Sequence, residues 1–362
     1  MRVIDNAEVA KVLDMPTAMA ALRRAYAELA VGESVYGPRI DYYAPTGRPE
    51  DYHQWGCMVG VCRATGVTAI RMKSDIVSWP QGTTQEKYCL EPGRYCGLIM
   101  LFDHGNGVPL ALIQDGYLQH LRVGAAIGLG VEALARPDAA TLGLVGSGGM
   151  AATFLESIAL VRRLEQVRVY SPTVGHRERF AAEWSARLGV EVSPVHDPHQ
   201  AVRGADIVAT ATDSMRPTFE ATWVEPGAHV VCVTRRELSA ELLDIADRVL
   251  QLGYHTISPG AAIPLMEWKA GGIASYVAGR PEERSRIPPA SSVQAAQFPT
   301  LADLQMGKAP GRQSPLERTL FIGTGTQGLQ FAAVAGQLWR SVAGSRVGRE
   351  VPDEWLLEDI RD

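Results

Sequence analysis

Two short glycine-rich strings dominate the chemistry open to this sequence: Gly146-Ser147-Gly148-Gly149-Met150-Ala151 and Gly323-Thr324-Gly325-Thr326-Gln327-Gly328. Each follows an apolar run and precedes a helical pattern, the context in which such a loop cradles a diphosphate. The first glycine permits a tight turn, the second admits the pyrophosphate, and a small third residue lets strand and helix pack closely. Free N–H groups at the helix N-terminus then face the anion. A mononucleotide-binding half needs a full βαβαβ unit. The first string is followed by roughly a hundred residues of alternating strand and helix pattern, the second by only residues 329–362. The first is therefore expected to hold the dinucleotide, with Gly146, Ser147, Gly148, Gly149 and Met150 as contacts. The choice of cofactor falls to the end of the next strand, Val167-Arg168-Val169-Tyr170. A carboxylate there would bind the ribose hydroxyls and repel a 2′-phosphate. The chain has Ser171-Pro172-Thr173 instead, followed by His176, Arg177 and Arg179. Hydroxyls beside guanidinium groups suit a phosphate, so NADP(H) is expected in preference to NAD(H), with Ser171, Pro172, Thr173 and Arg177 as contacts. Thr212 and Val233, next to the ends of two later strands, are counted with them.

The elements that must position these loops divide into two textures. Met15 to Leu29 has helical spacing, and the first thirty residues read as a helix. Residues 39–112 are short β-type runs (Met58-Val61, Val67-Met72, Gly97-Phe102, Pro109-Ile113), with Asp103-His104-Gly105-Asn106-Gly107 as a hairpin turn. Gly116 to Ala135 is helical. From Thr141 onward continuous apolar strands alternate with helices, which implies a parallel sheet covered on both faces. Residues 280–315, rich in Pro, Ser and charge, read as a surface excursion before a last strand at Thr319-Ile322 and a helix at Leu329-Val342.

Bulk properties exclude several classes of function. With 362 residues the chain is expected to form two domains. A net charge of −5 argues against a nucleic-acid surface. Five cysteines in unpaired spacing suggest neither a disulfide framework nor a zinc ribbon. The N-terminus lacks a secretory signal and no run is long enough to span a bilayer, so a cytoplasmic, soluble protein is expected. His196-Asp197-Pro198-His199 reads as a capped helix start rather than a metal site, and no metal is expected. Ser147 lacks the spacing of a nucleophile elbow.

Several segments together resemble the ornithine cyclodeaminase/mu-crystallin family: Gly97-Leu98-Ile99-Met100-Leu101-Phe102-Asp103, Leu121-Arg122-Val123-Gly124-Ala125-Ala126, Leu134-Ala135-Arg136-Pro137-Asp138-Ala139, the first glycine loop, Gly204-Ala205-Asp206-Ile207-Val208, Glu225-Pro226-Gly227-Ala228-His229-Val230, and Gly307-Lys308-Ala309-Pro310-Gly311-Arg312 before Thr319-Leu320-Phe321. The resemblance implies an α/β fold in which a Rossmann dinucleotide-binding domain (126–317) is inserted into a discontinuous α+β substrate and dimerisation domain (1–125 and 318–362). It also implies a homodimer, and hydride exchange at the α-carbon of an amino acid or its imine. Arg122 matches the family arginine that grips the substrate carboxylate, and Arg39 an early arginine placed at the same group. The family's strand lysine falls on Lys73 or, with a different gap, on Arg71. Lys73 is preferred, since an ammonium can exchange a proton and a guanidinium cannot. Arg94 is a further cation that the family does not match.

The chain departs from the family in three places. Val123 stands where a threonine is usual and Met150 where a glutamine is usual. The aspartate that cyclodeaminases carry after the strand His229-Val233 is missing from Thr234-Arg235-Arg236-Glu237-Leu238, where Glu237 either substitutes for it or matches a glutamate outside the chemistry. Without that aspartate, an NAD(P)H-dependent reduction of an α-imino acid, or oxidation of the matching α-amino acid, is expected. The alternatives are an ornithine- or lysine-type cyclodeaminase with catalytic NAD and a crystallin-like binding protein. Asp75 and Glu86 are expected to tune Lys73, and Trp79-Pro80 with Gln85-Glu86-Lys87-Tyr88 to shape the substrate pocket.

Overall fold

The computed structural model describes residues 1–253, 266–269, 273–289 and 298–360. Two sheets carry the architecture. The first is largely antiparallel, in the order Met266–Lys269, Ile273–Val277, Ile40–Pro45, Tyr52–Cys62, Val67–Ser78, Gly97–Asp103, Pro109–Gln114, Arg2–Ile4 and Arg349–Glu350, with Val35–Tyr36 and Glu86–Tyr88 pairing at its side. The second is parallel throughout, in the order Glu191–Pro194, Gln166–Tyr170, Thr141–Val145, Ile207–Thr210, His229–Cys232, Thr319–Ile322 and Arg248–Gln251. Its central strands are buried on both faces, as their continuous apolar sequence requires. The α/β class and the Rossmann sheet are as the sequence implied.

Sheet membership does not follow the expected boundaries at 126 and 317. Thr319–Ile322 lies inside the parallel sheet, hydrogen-bonded to strands on both sides. Ile273–Val277 instead joins the first sheet beside Ile40–Pro45. The first thirty residues are not one helix. Arg2–Ile4 pairs with Pro109–Gln114, and the aspartates at 5 and 14 each cap a separate helix, Asn6–Val12 and Met15–Ala30. The segment 280–315 is more than a surface excursion, although its residues 290–297 lie outside the described residues. Ile287 is fully buried among Tyr43, Tyr52 and Val77. Arg312 is stitched to the Leu134 carbonyl and the Thr319 hydroxyl, both at 2.8 Å.

One helix joins the two halves. Gly116–Leu134 packs on Met15–Ala30 and, along another side, on Gly149–Val161. At Gly124 the two helices approach so closely that a Cβ would lie 2.6 Å from the Thr153 carbonyl oxygen. The first turns of Gly116–Leu134 therefore stand at the seam between the sheets, carrying Gln119, His120 and Arg122.

The two faces of the first sheet differ. Residues alternating along Tyr52–Cys62 and Val67–Ser78 send Gln54, Met58, Arg71, Lys73 and Asp75 towards the helices and the seam. The opposite face carries a cross-strand row, Val59, Ile70, Met100 and Leu112, that is only half-buried.

Candidate functional site

A cleft of about 810 Å³ opens between the sheets, and the first glycine loop forms one wall of it. Gly146 has φ +120°, and a Cβ there would sit 2.5 Å from the Ala211 carbonyl oxygen, so this turn admits only glycine. Gly148 caps the helix Gly149–Val161 without any side-chain cap bond, which leaves the N–H groups of its first turn free for an anion. Gly148, Gly149, Met150, Thr212 and Val233 line the cleft. The loop thus fits a dinucleotide diphosphate on its own geometry. Ser147 is half-buried behind it.

At the other end of this wall, no carboxylate follows Tyr170. Ser171 is buried, whereas Pro172 and Thr173 are exposed ahead of the helix Val174–Leu188, where the Thr173 hydroxyl makes no cap bond. Arg177 departs from expectation. It is buried, and it donates to the Ser171 carbonyl at 2.8 Å and lies 3.5 Å from His196 Nδ1, so its guanidinium shores up the strand end instead of facing solvent for a phosphate. Position 177 shares a helix face with Phe180, Ala181 and Trp184, at i+3, i+4 and i+7, so periodicity points it inward; its charge and its nearness to the strand end suggested the opposite. Asp197 does cap the short helix after His196, accepting from Gln200 N at 2.9 Å.

The other wall comes from the polar face of the first sheet. Asp41, Gly56, Lys73 and Gly97 form one cross-strand row. Gly56 lets Asp41 and Lys73 approach across the strand between them, at 4.0 Å. Gly97 leaves the space that the Asp115 carboxylate fills. Lys73 donates to Gln54 and, at 3.1 Å, to Asp75. Arg39 pairs with the fully buried Asp41 at 3.2 Å, and Arg71 with Asp115 at 2.6 Å. Burial drives the Lys73 ammonium down to a pKa of about 8, and the neighbouring Asp41 carboxylate opposes that shift.

These contacts separate the four expected substrate cations. Arg39 and Arg122 line the cleft. Lys73 lies behind the cleft-lining Gln54, and Arg71 is committed to Asp115 with its guanidinium over the Phe331 ring. Neither Lys73 nor Arg71 lines the cleft itself, and of the two the lysine is the group whose pKa burial brings near neutral. Arg94 is exposed, paired with Glu91 at 2.6 Å.

Arg122 has the most telling surroundings. It is 7% exposed, yet its guanidinium meets only amide oxygens, Gln119 at 2.8 Å and Gln330 at 2.9 Å, and stacks 4.8 Å from the Phe331 ring centroid. Among the described residues no carboxylate pairs with it. Burial, reinforced by Arg71, pushes its pKa down to about 9. A buried guanidinium with its fork only partly used is a receptor for a planar anion.

Gln119, His120 and Gln330 are site residues that sequence reasoning missed. His120 borders the cleft against Gly149, and burial lowers its pKa. Gln330 sits one turn into the helix Gln327–Val342, with no local motif to mark it. The second glycine string also proves part of the site, although it holds no βαβαβ unit. Gly323, Thr324 and Gln327 line the cleft, and the Gln330 amide donates to the Gly325 carbonyl at 3.0 Å while accepting from Arg122. Glu237 is almost completely buried, and both its oxygens are engaged: one with the Thr212 N–H and hydroxyl, each at 2.7 Å, the other with the Thr234 hydroxyl at 2.9 Å. It ties two strand ends together.

The profile of the ornithine cyclodeaminase/mu-crystallin family matches residues 92–357. The chain belongs to that family. Among curated relatives, a Delta(1)-pyrroline-2-carboxylate reductase of Bacillus cereus is 35% identical over 159 residues, 42% of this chain and 49% of the relative. Among solved structures, the Delta(1)-pyrroline-2-carboxylate reductase of Thermococcus litoralis, in complex with NADH and L-proline, superposes with a TM-score of 0.73 at 23% identity, covering 97% of this chain and 100% of that one. An archaeal alanine dehydrogenase dimer with bound NAD gives 0.75 at 21% identity, over 97% and 99%. Among the described residues, no helix is long and apolar enough to cross a membrane.

Proposed function

We propose that this protein is a nicotinamide-dependent oxidoreductase that reduces an α-imino acid, or oxidises the matching α-amino acid, at the α-carbon. The observation that carries this reading is the buried, carboxylate-free Arg122 in the same cleft as the diphosphate loop. Arg122, with Arg39, holds the substrate carboxylate through paired N–H donors, which fixes the α-carbon in place. A bound nicotinamide cofactor supplies the hydride that reduces the imine carbon. Lys73, on the same sheet face as the cleft-lining Gln54, supplies the proton that the imine nitrogen takes up. Glu237 does not replace the missing aspartate, because both its oxygens are engaged, and this argues against cyclodeamination. The related reductase, and the NADH and L-proline bound in the structural neighbour, agree with the reading.

The test is loss of NAD(P)H absorbance with a cyclic imino acid, and with 2-oxo acids plus ammonia. Turnover is expected, and the rate of reduction should fall as pH rises through about 8, because Lys73 then loses the proton it donates. Absence of turnover across such a panel would overturn the assignment.

For the cofactor we propose NADP(H), supported by the lack of a carboxylate at Tyr170-Ser171-Pro172 and the exposed Thr173 at a helix N-terminus. A Thr173→Asp substitution should shift the ratio of affinities towards NAD(H) by on the order of tenfold or more, since like charges repel there. Dissociation constants for both cofactors, measured by fluorescence, decide this.

We further propose a homodimer formed on the half-buried row Val59, Ile70, Met100 and Leu112. The archaeal neighbour is described as a dimer, and a contiguous apolar sheet face suits such an interface. Ile70→Lys should yield a monomer by light scattering. A variant that keeps the wild-type mass would remove this surface from consideration.

A further inference from the structure

With Arg39 and Arg122 assigned to the α-carboxylate, Lys87 and Arg236 are further cations that line the cleft. Lys87, in the strand Glu86–Tyr88, is directly opposite Val77, so its side chain leaves the sheet on the face that carries Arg71, Lys73 and Asp75. It lines the cleft, and among the described residues it has no hydrogen-bond or ion-pair partner. Arg236 reaches the same space from the opposite wall, in the turn Arg235–Glu237 after the strand His229–Cys232. It donates to Gln85 Oε1 at 3.4 Å and to the Met215 sulfur, and to no carboxylate among the described residues.

The acids nearby are accounted for. Asp41 is paired with Arg39, and Asp75 with Lys73. Glu237, next to Arg236, is held by Thr212 and Thr234. Glu86 and Asp213 border the cleft but are exposed, and neither forms an ion pair with Lys87 or Arg236. Burial pushes the Lys87 ammonium well below the ordinary lysine range, and the charges of Lys73 and Arg39 push it further. Lys87 and Arg236 are half-buried and face the cleft, and cations lining a cleft without counter-charges attract an incoming anion. A substrate with one carboxylate, held at Arg122, would leave both uncompensated.

We propose that Lys87 and Arg236 form a second anion subsite that takes the side-chain carboxylate of a dicarboxylic α-imino or α-amino acid. This rests on the oxidoreductase reading and narrows its substrate class. Arg236 also tethers the two walls, through Gln85 on one and its own turn on the other. Backbone bonds run from Gln85 N to the Asp213 carbonyl at 3.3 Å and from Met215 N to the Thr83 carbonyl at 2.9 Å, so the subsite sits where the halves of the protein meet.

The experiment compares reductive amination of oxaloacetate and 2-oxoglutarate with that of 2-oxobutyrate and 2-oxopentanoate, in the wild type and in Lys87→Met, Lys87→Arg and Arg236→Met. The wild type should favour the dicarboxylic acids in kcat/KM by about 10²-fold. That preference should collapse in Lys87→Met and Arg236→Met, chiefly through KM, and return in part in Lys87→Arg. Calorimetric titration of aspartate and glutamate into the cofactor-loaded protein should show the same loss without any turnover, and melting curves identify any variant that fails to fold. Equal or better use of the neutral acids by the wild type overturns the subsite. So does a Lys87→Met variant that loses kcat on every substrate alike, as a proton donor would, or one whose cofactor affinity falls instead. If no substrate turns over but aspartate still binds in a Lys87-dependent manner, the oxidoreductase reading fails and the subsite stands.

Discussion

Replacing Arg122 with methionine is expected to lower kcat/KM by on the order of 10²–10³ while leaving the fold intact. Truncating one member of a buried, hydrogen-bonded charge pair costs about 2–5 kcal/mol, and on the proposed reading that cost falls on the bound state, where the substrate carboxylate is left unpaired. Among the described residues the guanidinium has no carboxylate partner. It rests on two glutamine oxygens and an aromatic ring, in a place where burial already opposes its charge. Methionine keeps most of the apolar contact with Phe331 and removes a charge that the free protein does not neutralise. The Gln330 amide keeps its bond to the Gly325 carbonyl. The melting temperature should therefore stay within about 3 °C of wild type while activity collapses. Arg122→Lys should recover only part of the loss, because a single ammonium cannot reproduce the paired donors. Near-normal kcat/KM in the methionine variant would show that the carboxylate is bound elsewhere.

Gly328→Ala should be the most damaging small substitution outside the cofactor loop. Its Cβ would fall on the Val59 carbonyl, and Gly60 faces the Gly328 carbonyl carbon and the Leu329 nitrogen in return. Neither backbone can retreat. Val59 and Gly60 pair with Ile70 and Ala69 on one side, and on the other Gly60 pairs with Tyr36 while the Val59 carbonyl accepts from Gly37 N at 2.8 Å; the helix Gln327–Val342 is buried along most of its length. Overpacking costs about 1–3 kcal/mol where neighbours can adjust, and contact of backbone with backbone puts this site at or above the upper figure. Any displacement of the helix also moves Gln330 and so tilts Arg122. The variant should combine a melting temperature lower by several degrees with weaker substrate binding. Gly175→Ala is the control, since nothing lies within 4 Å of its Cβ and alanine favours the helix there. Equal melting temperatures for the two variants would contradict this account of the packing.

The same residues show how far the sequence could be read. The glycine loop at Gly146 was legible because its requirements are local: a positive φ, a close carbonyl and a helix start all fall within a few residues. The parallel strands were legible because burial on both faces leaves an unbroken apolar run. Arg122 and Arg39 could be singled out only through the family resemblance, since a cation in a sequence carries no sign of what it faces. Arg177 misled because its charge and its adjacency to the strand end suggested a phosphate contact, although helix periodicity points it inward.

The second glycine string marks the division between what is local and what is not. In the sequence it was set apart from the loop at Gly146 by its context, a single helical pattern after it in place of an alternating run of strands and helices. Only the tertiary structure decided what those glycines are for. Gly328 lets a helix touch a strand more than two hundred and fifty residues earlier in the chain (Gly60), and Gln330 on that helix reaches Arg122 on another. Contacts between distant segments depend on where whole elements pack, and side-chain periodicity along one element does not carry that information. Lys87, without a partner among the described residues, and the paired carboxylates of Asp41, Asp75 and Glu237 belong to the same class. Whether a charge is free or neutralised is a property of its neighbours in space.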